Sequence, residues 1–258
     1  LREDQIADEV QFLMDFILGY YDTFGLTAQL KFATRPELRI GSDDLWDRAE
    51  AALKAALDAT GRAYEMVPGD GAFYGPKIDF AVTDSIGRHW QLGTIQLDYN
   101  APERFDLSYT GEDNAAHRPV VIHRAVSGSF ERFIAILVEH FAGAFPVWLA
   151  PEQVRVLPIS DELADVANAI TRRMKDAGVR ANLVTGESLN YRIRQAEVMK
   201  VPYMAVIGKR EAEAGTLAVR VRGEGKKQEI IAVDAFIERV CGEIAGRELT
   251  PSGGEQGT

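Results

Sequence analysis

With 258 residues, 46% of them hydrophobic and 26% charged, the chain has apolar content for one or two buried cores, and no run approaches the roughly 20 apolar residues that cross a bilayer. The opening LREDQIADEV lacks the basic and apolar stretches of a signal peptide, so a cytoplasmic setting is expected, and the single cysteine, Cys241, excludes an intrachain disulfide and a cysteine-rich zinc module. A formal net charge of −10 argues against loose binding to nucleic acid, whose affinity comes largely from neutralising phosphates.

In chain order, Val10, Phe12, Leu13, Phe16 and Ile17 have helical spacing and predict a helix over Gln5–Tyr21; Gly25 interrupts, and Lys31–Thr34 reads as extended. Ser42, followed by Asp43, Asp44 and Asp47, is an N-cap with carboxylates near the positive end of a helix reaching Ala59. Tyr64–Val67, Lys77–Val82, Gly87–Asp98, Phe105–Tyr109 and Pro119–His123 are short β-patterns divided by Gly, Pro and Asp, as in an antiparallel meander. In Lys77–Val82 the polar Lys77 and Asp79 alternate with Ile78, Phe80 and Val82, which suits either a functional face or the solvated side of a half-buried sheet.

The next segment, VVIHRAVSGSFERF from Val120 to Phe133, joins a strand to a helix that Ser127 or Ser129 can cap, with Phe130, Phe133, Leu137 and Phe141 as the apolar stripe. Arg132 falls in its first turn, where a cation opposes the helix dipole at a cost of about 0.3–1 kcal/mol. A placement that local stability disfavours suits an anion. The prolines of FPVWLAP then mark a domain boundary near Trp148. Beyond it, strands at Val154–Pro158, Val179–Val184 and Tyr203–Ile207 alternate with helices at Asp161–Ala177 and Leu189–Lys200. A hairpin at Thr216–Val221 and Glu229–Val233 and a helix from Asp234 follow, giving a sheet with covering helices. Gly178 suits a helix C-cap, Cys241 a small apolar place in the last helix, and residues 247–258 a disordered tail. Between Arg192 and Lys227 nine basic residues stand against four glutamates, which reads either as a basic patch docking one RNA or as solvated surface charge.

Strand, small-residue turn and helix-start arginine resemble motif 3 of the class II aminoacyl-tRNA synthetases. FYGPKIDF, QLGTIQLDY, TRPE at Thr34–Glu37 and GEDN at Gly111–Asn114 are similar in order and spacing to the threonyl-tRNA synthetase family, a likeness running from Leu1 to about Ala245. The resemblance implies an antiparallel class II synthetase sheet with helices over 1–147 and a mixed-sheet α/β anticodon-binding domain over 148–246. It implies ATP with Mg2+, threonine and tRNA(Thr) as ligands, with Arg132 and Gln91 on ATP and Tyr74, Lys77 and Gln96 at the amino acid. His123, read from the residues alone as a hydrogen-bonded core histidine or a metal ligand, would be one of three Zn2+ ligands. A zinc that coordinates the threonine hydroxyl would reject valine, which lacks one. Arg194, Lys200, Glu211 and Arg220 match anticodon readers, while Gly186 stands where the family often has asparagine.

The family's other two zinc ligands, its motif 2 arginine and the motif 1 that pairs it as a homodimer all match positions before Leu1, so the expectation is part of a larger ligase with an incomplete zinc site. A non-catalytic RNA-binding or regulatory fragment is the alternative, and the prolyl enzyme a weaker one. Gln91 and Gln96, five apart, would face opposite sides of a regular strand, yet the resemblance brings both to one pocket. A bulge or twist near Gly93 is therefore predicted.

Overall fold

The computed structural model describes residues 1–251, which form two compact units dividing between Leu137 and Val138. Residues 252–258 of the expected tail lie outside the described residues.

In the first unit α1 (Ile6–Asp22) and α2 (Asp43–Ala59) pack together and cover one face of a five-stranded sheet. Its strands are β1 (Ala28–Ala33), β2 (Tyr64–Val67), β3 (Lys77–Thr83), β4 (His89–Asp98) and β7 (Val121–Ala125), in the order β2-β1-β3-β4-β7. Ser42 Oγ accepts from the Leu45 amide, as a serine N-cap should. The covered face buries Phe32, Ile78, Phe80, Val82 and Ile95 against Val10, Leu13, Met14, Ile17 and Leu53.

Several expectations need correction. The sheet is not a pure meander, because β2 pairs parallel with β1 after the α2 crossover. Of Phe105–Tyr109 only Tyr109 lies in a strand. Asp98 Oδ1 accepts from the amides of Asn100 and Ala101 at 2.8 and 2.9 Å, starting a short helix, α3 (Asn100–Arg104). Pro102 is tolerated there because first-turn amides need no partner within the helix. A two-stranded ribbon of β5 (Tyr109–Thr110) and β6 (Ala116–His117) follows. On α1 the buried stripe includes Met14 and Tyr21, while Phe12 and Phe16 are exposed and stack on each other. On α4 (Phe130–His140) Ile136 is buried and Phe130 is 76% exposed.

The second unit is a sheet ordered β12-β11-β10-β8-β9, from β8 (Val154–Pro158), β9 (Ala181–Leu183), β10 (Tyr203–Ile207), β11 (Thr216–Val221) and β12 (Glu229–Ala232). β8, β9 and β10 are parallel, and β11 and β12 return antiparallel. α5 (Ala164–Asp176) and α8 (Val233–Gly246) bury Val154, Val156, Ala205 and Ile207 on one face, with Cys241 packed at the edge of that core. α6 (Leu189–Val198) covers Leu157, Met204 and Val206 on the other. A further helix, α7 (Lys209–Ala214), was not legible, since its six residues hold too little apolar pattern to read.

The β3–β4 turn is closed by Asp84, whose buried carboxylate accepts from the Ile86 and Arg88 amides, Arg88 Nε and Trp90 Nε1. Burial raises this group's pKa, but the bonds donated by Trp90 and Arg88 outweigh it and hold the carboxyl well below its usual range. A folded pKa below the unfolded one stabilises above the ordinary carboxylate value of about 3.9, and that stability is lost as pH falls toward the folded value. The urea midpoint of the chain should therefore drop more steeply from about pH 5 to pH 2 than that of Asp84→Asn. Equal slopes would contradict this account.

Candidate functional site

The uncovered face of the first sheet carries a row of polar side chains. Cross-strand partners share a face, and Lys77 on β3 is opposite Gln96 on β4, itself opposite His123 on β7. Asp79 lies two residues from Lys77 and faces the same way, opposite Thr94. Lys77 and Asp79 are 8% and 3% exposed, so this is not a solvated sheet surface. The β3–β4 register shifts by one residue, with Phe80 opposite Gly93 but Ala81 opposite Gln91, which leaves Leu92 unpaired. That bulge, adjoining the predicted Gly93, resets the alternation, and Gln91 Nε2 donates to Asp79 Oδ1 at 2.7 Å on the same face as Gln96. Gly93 leaves room beneath for Tyr21 Oη, which would lie 2.8 Å from an added Cβ and donates to the Val126 carbonyl at 2.6 Å.

At one end of the strip Tyr74 donates its hydroxyl to Gln96 Oε1. Burial first, and the Asp98 carboxylate second, push the phenol above its ordinary value, so it stays a donor. Asn100 Nδ2 donates to the Tyr74 carbonyl at 2.7 Å, tying α3 to this residue. The His123 ring sits 5.2 Å from the Tyr74 ring, and its Nε2 is 2.9 Å from Asp98 Oδ2. His123 is thus hydrogen-bonded but exposed, not a core residue. A cavity of about 380 Å³ opens here between Ile40, Phe73, Tyr74, Asp98, Phe105 and His123. A larger hollow of about 660 Å³, between Leu1 and the β5–β6 ribbon, shares no residue with the strip.

At the other end Ser129 Oγ caps α4 by accepting from the Arg132 amide, and Arg132 Nη1 donates to the Gln91 carbonyl at 3.0 Å. The guanidinium carbon lies 5.8 Å from the centroid of the Trp90 ring, which Arg88 also approaches at 5.2 Å. Gly128 makes the turn before α4 at φ 66°, and an added Cβ would stand 3.0 Å from the Leu92 carbonyl. The turn therefore seats directly on the bulge. Trp90 and Asp98 were not singled out from the sequence, whereas the alternation in Lys77–Val82 had placed Asp79 with Lys77 on its polar face.

The residues present do not make a zinc site. With Nε2 engaged by Asp98, His123 retains one ring nitrogen, and among the described residues no group of three or more His, Cys, Asp or Glu side chains could hold a metal ion.

In the second unit Arg194, Lys200 and Arg220 gather around α6, and Glu211 opens α7 beyond the end of β10. Their side chains are not equally available. Arg194 is exposed, while Glu211 Oε2 accepts from the Gly208 amide and Lys200 Nζ donates to the Ala142 carbonyl. Arg220 is 7% exposed, donating to the Gly225 carbonyl and pairing with Glu197 at 3.4 Å. Arg192 is also buried, bonding the carbonyls of Val184 and Pro158, and Arg222 bonds those of Lys200 and Phe145. The basic window is thus partly internal scaffolding, leaving Arg194, Lys200, Lys209, Arg210, Lys226 and Lys227 exposed.

Two family models match the chain: the tRNA synthetase class II core domain (G, H, P, S and T) over residues 1–141 and an anticodon binding domain over residues 153–242. It is 51% identical over 246 residues to a threonine-tRNA ligase of Desulforamulus reducens and 56% identical over 227 residues to one of Myxococcus xanthus. Those matches take in 95% and 87% of this chain but 39% and 35% of the relatives, so the chain spans less than half their length. The RNA binding domain of threonyl-tRNA synthetase from Cryptosporidium parvum Iowa II is 36% identical with a TM-score of 0.90, over 98% of this chain and 63% of that one. A prolyl-tRNA synthetase of the same organism, at 16% identity and a TM-score of 0.58 over 95% of this chain and 50% of its own, shares the fold alone. A core-domain match over more than half of the sequence, joined to threonyl relatives at about 50% identity, means that the chain belongs to the class II aminoacyl-tRNA synthetases, on their threonyl branch.

Proposed function

We propose that this chain supplies the substrate floor and the tRNA-reading domain of a cytoplasmic threonine-tRNA ligase, which activates threonine with ATP and transfers it to tRNA(Thr). The observation that carries the reading is the polar strip, with Tyr74, Lys77, Gln96 and His123 at one end and Gln91 and Arg132 at the other. One ligand with an amino-acid end and a nucleotide end suits that layout. Threonine takes the cavity beside Tyr74 and His123, where the Tyr74 oxygen can accept from its ammonium group. With Oε1 already taken by Tyr74, the Gln96 amide is left to donate toward the carboxylate. Arg132, a cation at a helix start with one face open, holds phosphate oxygens of ATP brought in with its Mg2+.

Activation is an in-line displacement in which positioning and charge neutralisation supply most of the rate. His123 offers a single zinc ligand, and no step is assigned to the metal. In the second unit Arg194 is the reader with an open guanidinium, and Arg220 supports the site through the β11–β12 turn.

A second reading, an RNA-binding fragment without adenylate chemistry, draws on the lack of a metal ligand set among the described residues and on the separate core of the second unit. Threonine-dependent ATP-pyrophosphate exchange separates the two: exchange above background supports the ligase, and its absence with retained tRNA(Thr) affinity supports the binder. In calorimetry with ATP, Arg132→Ala should weaken binding about tenfold or more, the worth of one charge-assisted contact. An unchanged affinity removes Arg132 from the nucleotide site. Arg194→Ala should weaken tRNA(Thr) by about 1–3 kcal/mol in a filter-binding assay at fixed salt without altering ATP affinity. Equal binding by the two proteins would remove Arg194 from the RNA interface.

A further inference from the structure

We propose that Asp79 is a positioning residue that sets which atom of Gln91 faces the nucleotide and holds Lys77 beside the amino acid. Asp79 lies at the centre of the strip, 3% exposed, and each of its oxygens is engaged. Oδ2 accepts from Lys77 Nζ at 2.6 Å, and Oδ1 accepts from Gln91 Nε2 at 2.7 Å. A buried ion pair is weak evidence for a stabilising role, because well-packed apolar residues serve a core as well or better. The pair does supply orientation. A carboxylate only accepts, so Gln91 must turn its NH2 group inward and present Oε1 to the ligand. The group that Gln91 Oε1 meets in a nucleotide is therefore a hydrogen-bond donor, a hydroxyl or an amine.

Phosphate is left to Arg132, whose Nη1 bonds the backbone carbonyl of the same Gln91. Side chain and main chain of one residue thus divide the nucleotide between an acceptor and a cation, and the Leu92 bulge brings that residue within reach of Asp79. This inference rests on the nucleotide-binding reading above, and its test separates the two.

An asparagine at 79 has one accepting oxygen, which the Lys77 ammonium claims, and its NH2 then faces Gln91. The Gln91 amide must flip to accept, turning a donor outward. A carboxylate introduced at 91 can accept from that new NH2 and still present an oxygen to the ligand. Calorimetry with ATP on the chain, Asp79→Asn, Gln91→Glu and the double variant should show each single change weakening binding about tenfold or more, and the double returning to within about twofold of the unsubstituted chain. A purely structural Asp79 predicts a double variant no better than the weaker single one, and that result overturns the proposal.

If the unsubstituted chain binds no ATP, the nucleotide reading fails for this chain, and side-chain amide NMR of the ligand-free protein decides the role of Asp79. One Gln91 amide proton slow to exchange in the chain and fast in Asp79→Ala supports it. Rapid exchange of both Gln91 protons in the chain overturns it.

Discussion

Everything on the open face of the first sheet depends on one extra residue in β4. A strand alternates strictly, so Gln91 and Gln96 would project to opposite sides, and Gln91 would point toward the helix-covered face that buries Phe80. Leaving Leu92 unpaired returns Gln91 to the side of Lys77, Asp79 and Gln96. The same bulge seats the Gly128 turn against the Leu92 carbonyl and so places the start of α4 over the strand. Arg132 reaches the Gln91 carbonyl because both ends of that contact are set by this local break in the ladder.

Three buried carboxylates repeat one physical device along β3 and β4. Asp84 gathers the donors of the hairpin and holds Trp90 beside Arg132, Asp79 orients Lys77 and Gln91, and Asp98 collects two α3 amides together with His123. Each anion would be costly to bury alone, and each is satisfied by donors whose direction it then dictates. Lys77, Gln91 and His123 among these partners are side chains proposed to meet substrate, so Asp79 and Asp98 stand directly behind them.

In the second unit the same chemistry is turned inward. Arg192, Arg220 and Arg222 spend their guanidinium groups on backbone carbonyls, fixing the turns around β8, β11 and the end of α6. The exposed Arg194 therefore projects from a framework that other arginines hold in place.

Much was legible in the order of residues. The strand at Val154–Pro158, the cap at Ser42 and the turn before Arg132 follow from local periodicity and turn chemistry, which act over a few neighbours, while the break near Gly93 was expected because the family resemblance brings Gln91 and Gln96 to one pocket. The likeness to the threonyl family rests on motifs of that same short range. Only the tertiary structure decided that β2 runs parallel to β1, that Phe12 and Phe130 face outward, that Asp98 starts a helix between two segments read as strands, and that two of the basic window's five arginines, Arg192 and Arg220, are buried. Those outcomes depend on which surfaces meet across distant segments. Charge and hydrophobicity along the chain say what a side chain can do, and its long-range partners decide whether it is free to do it.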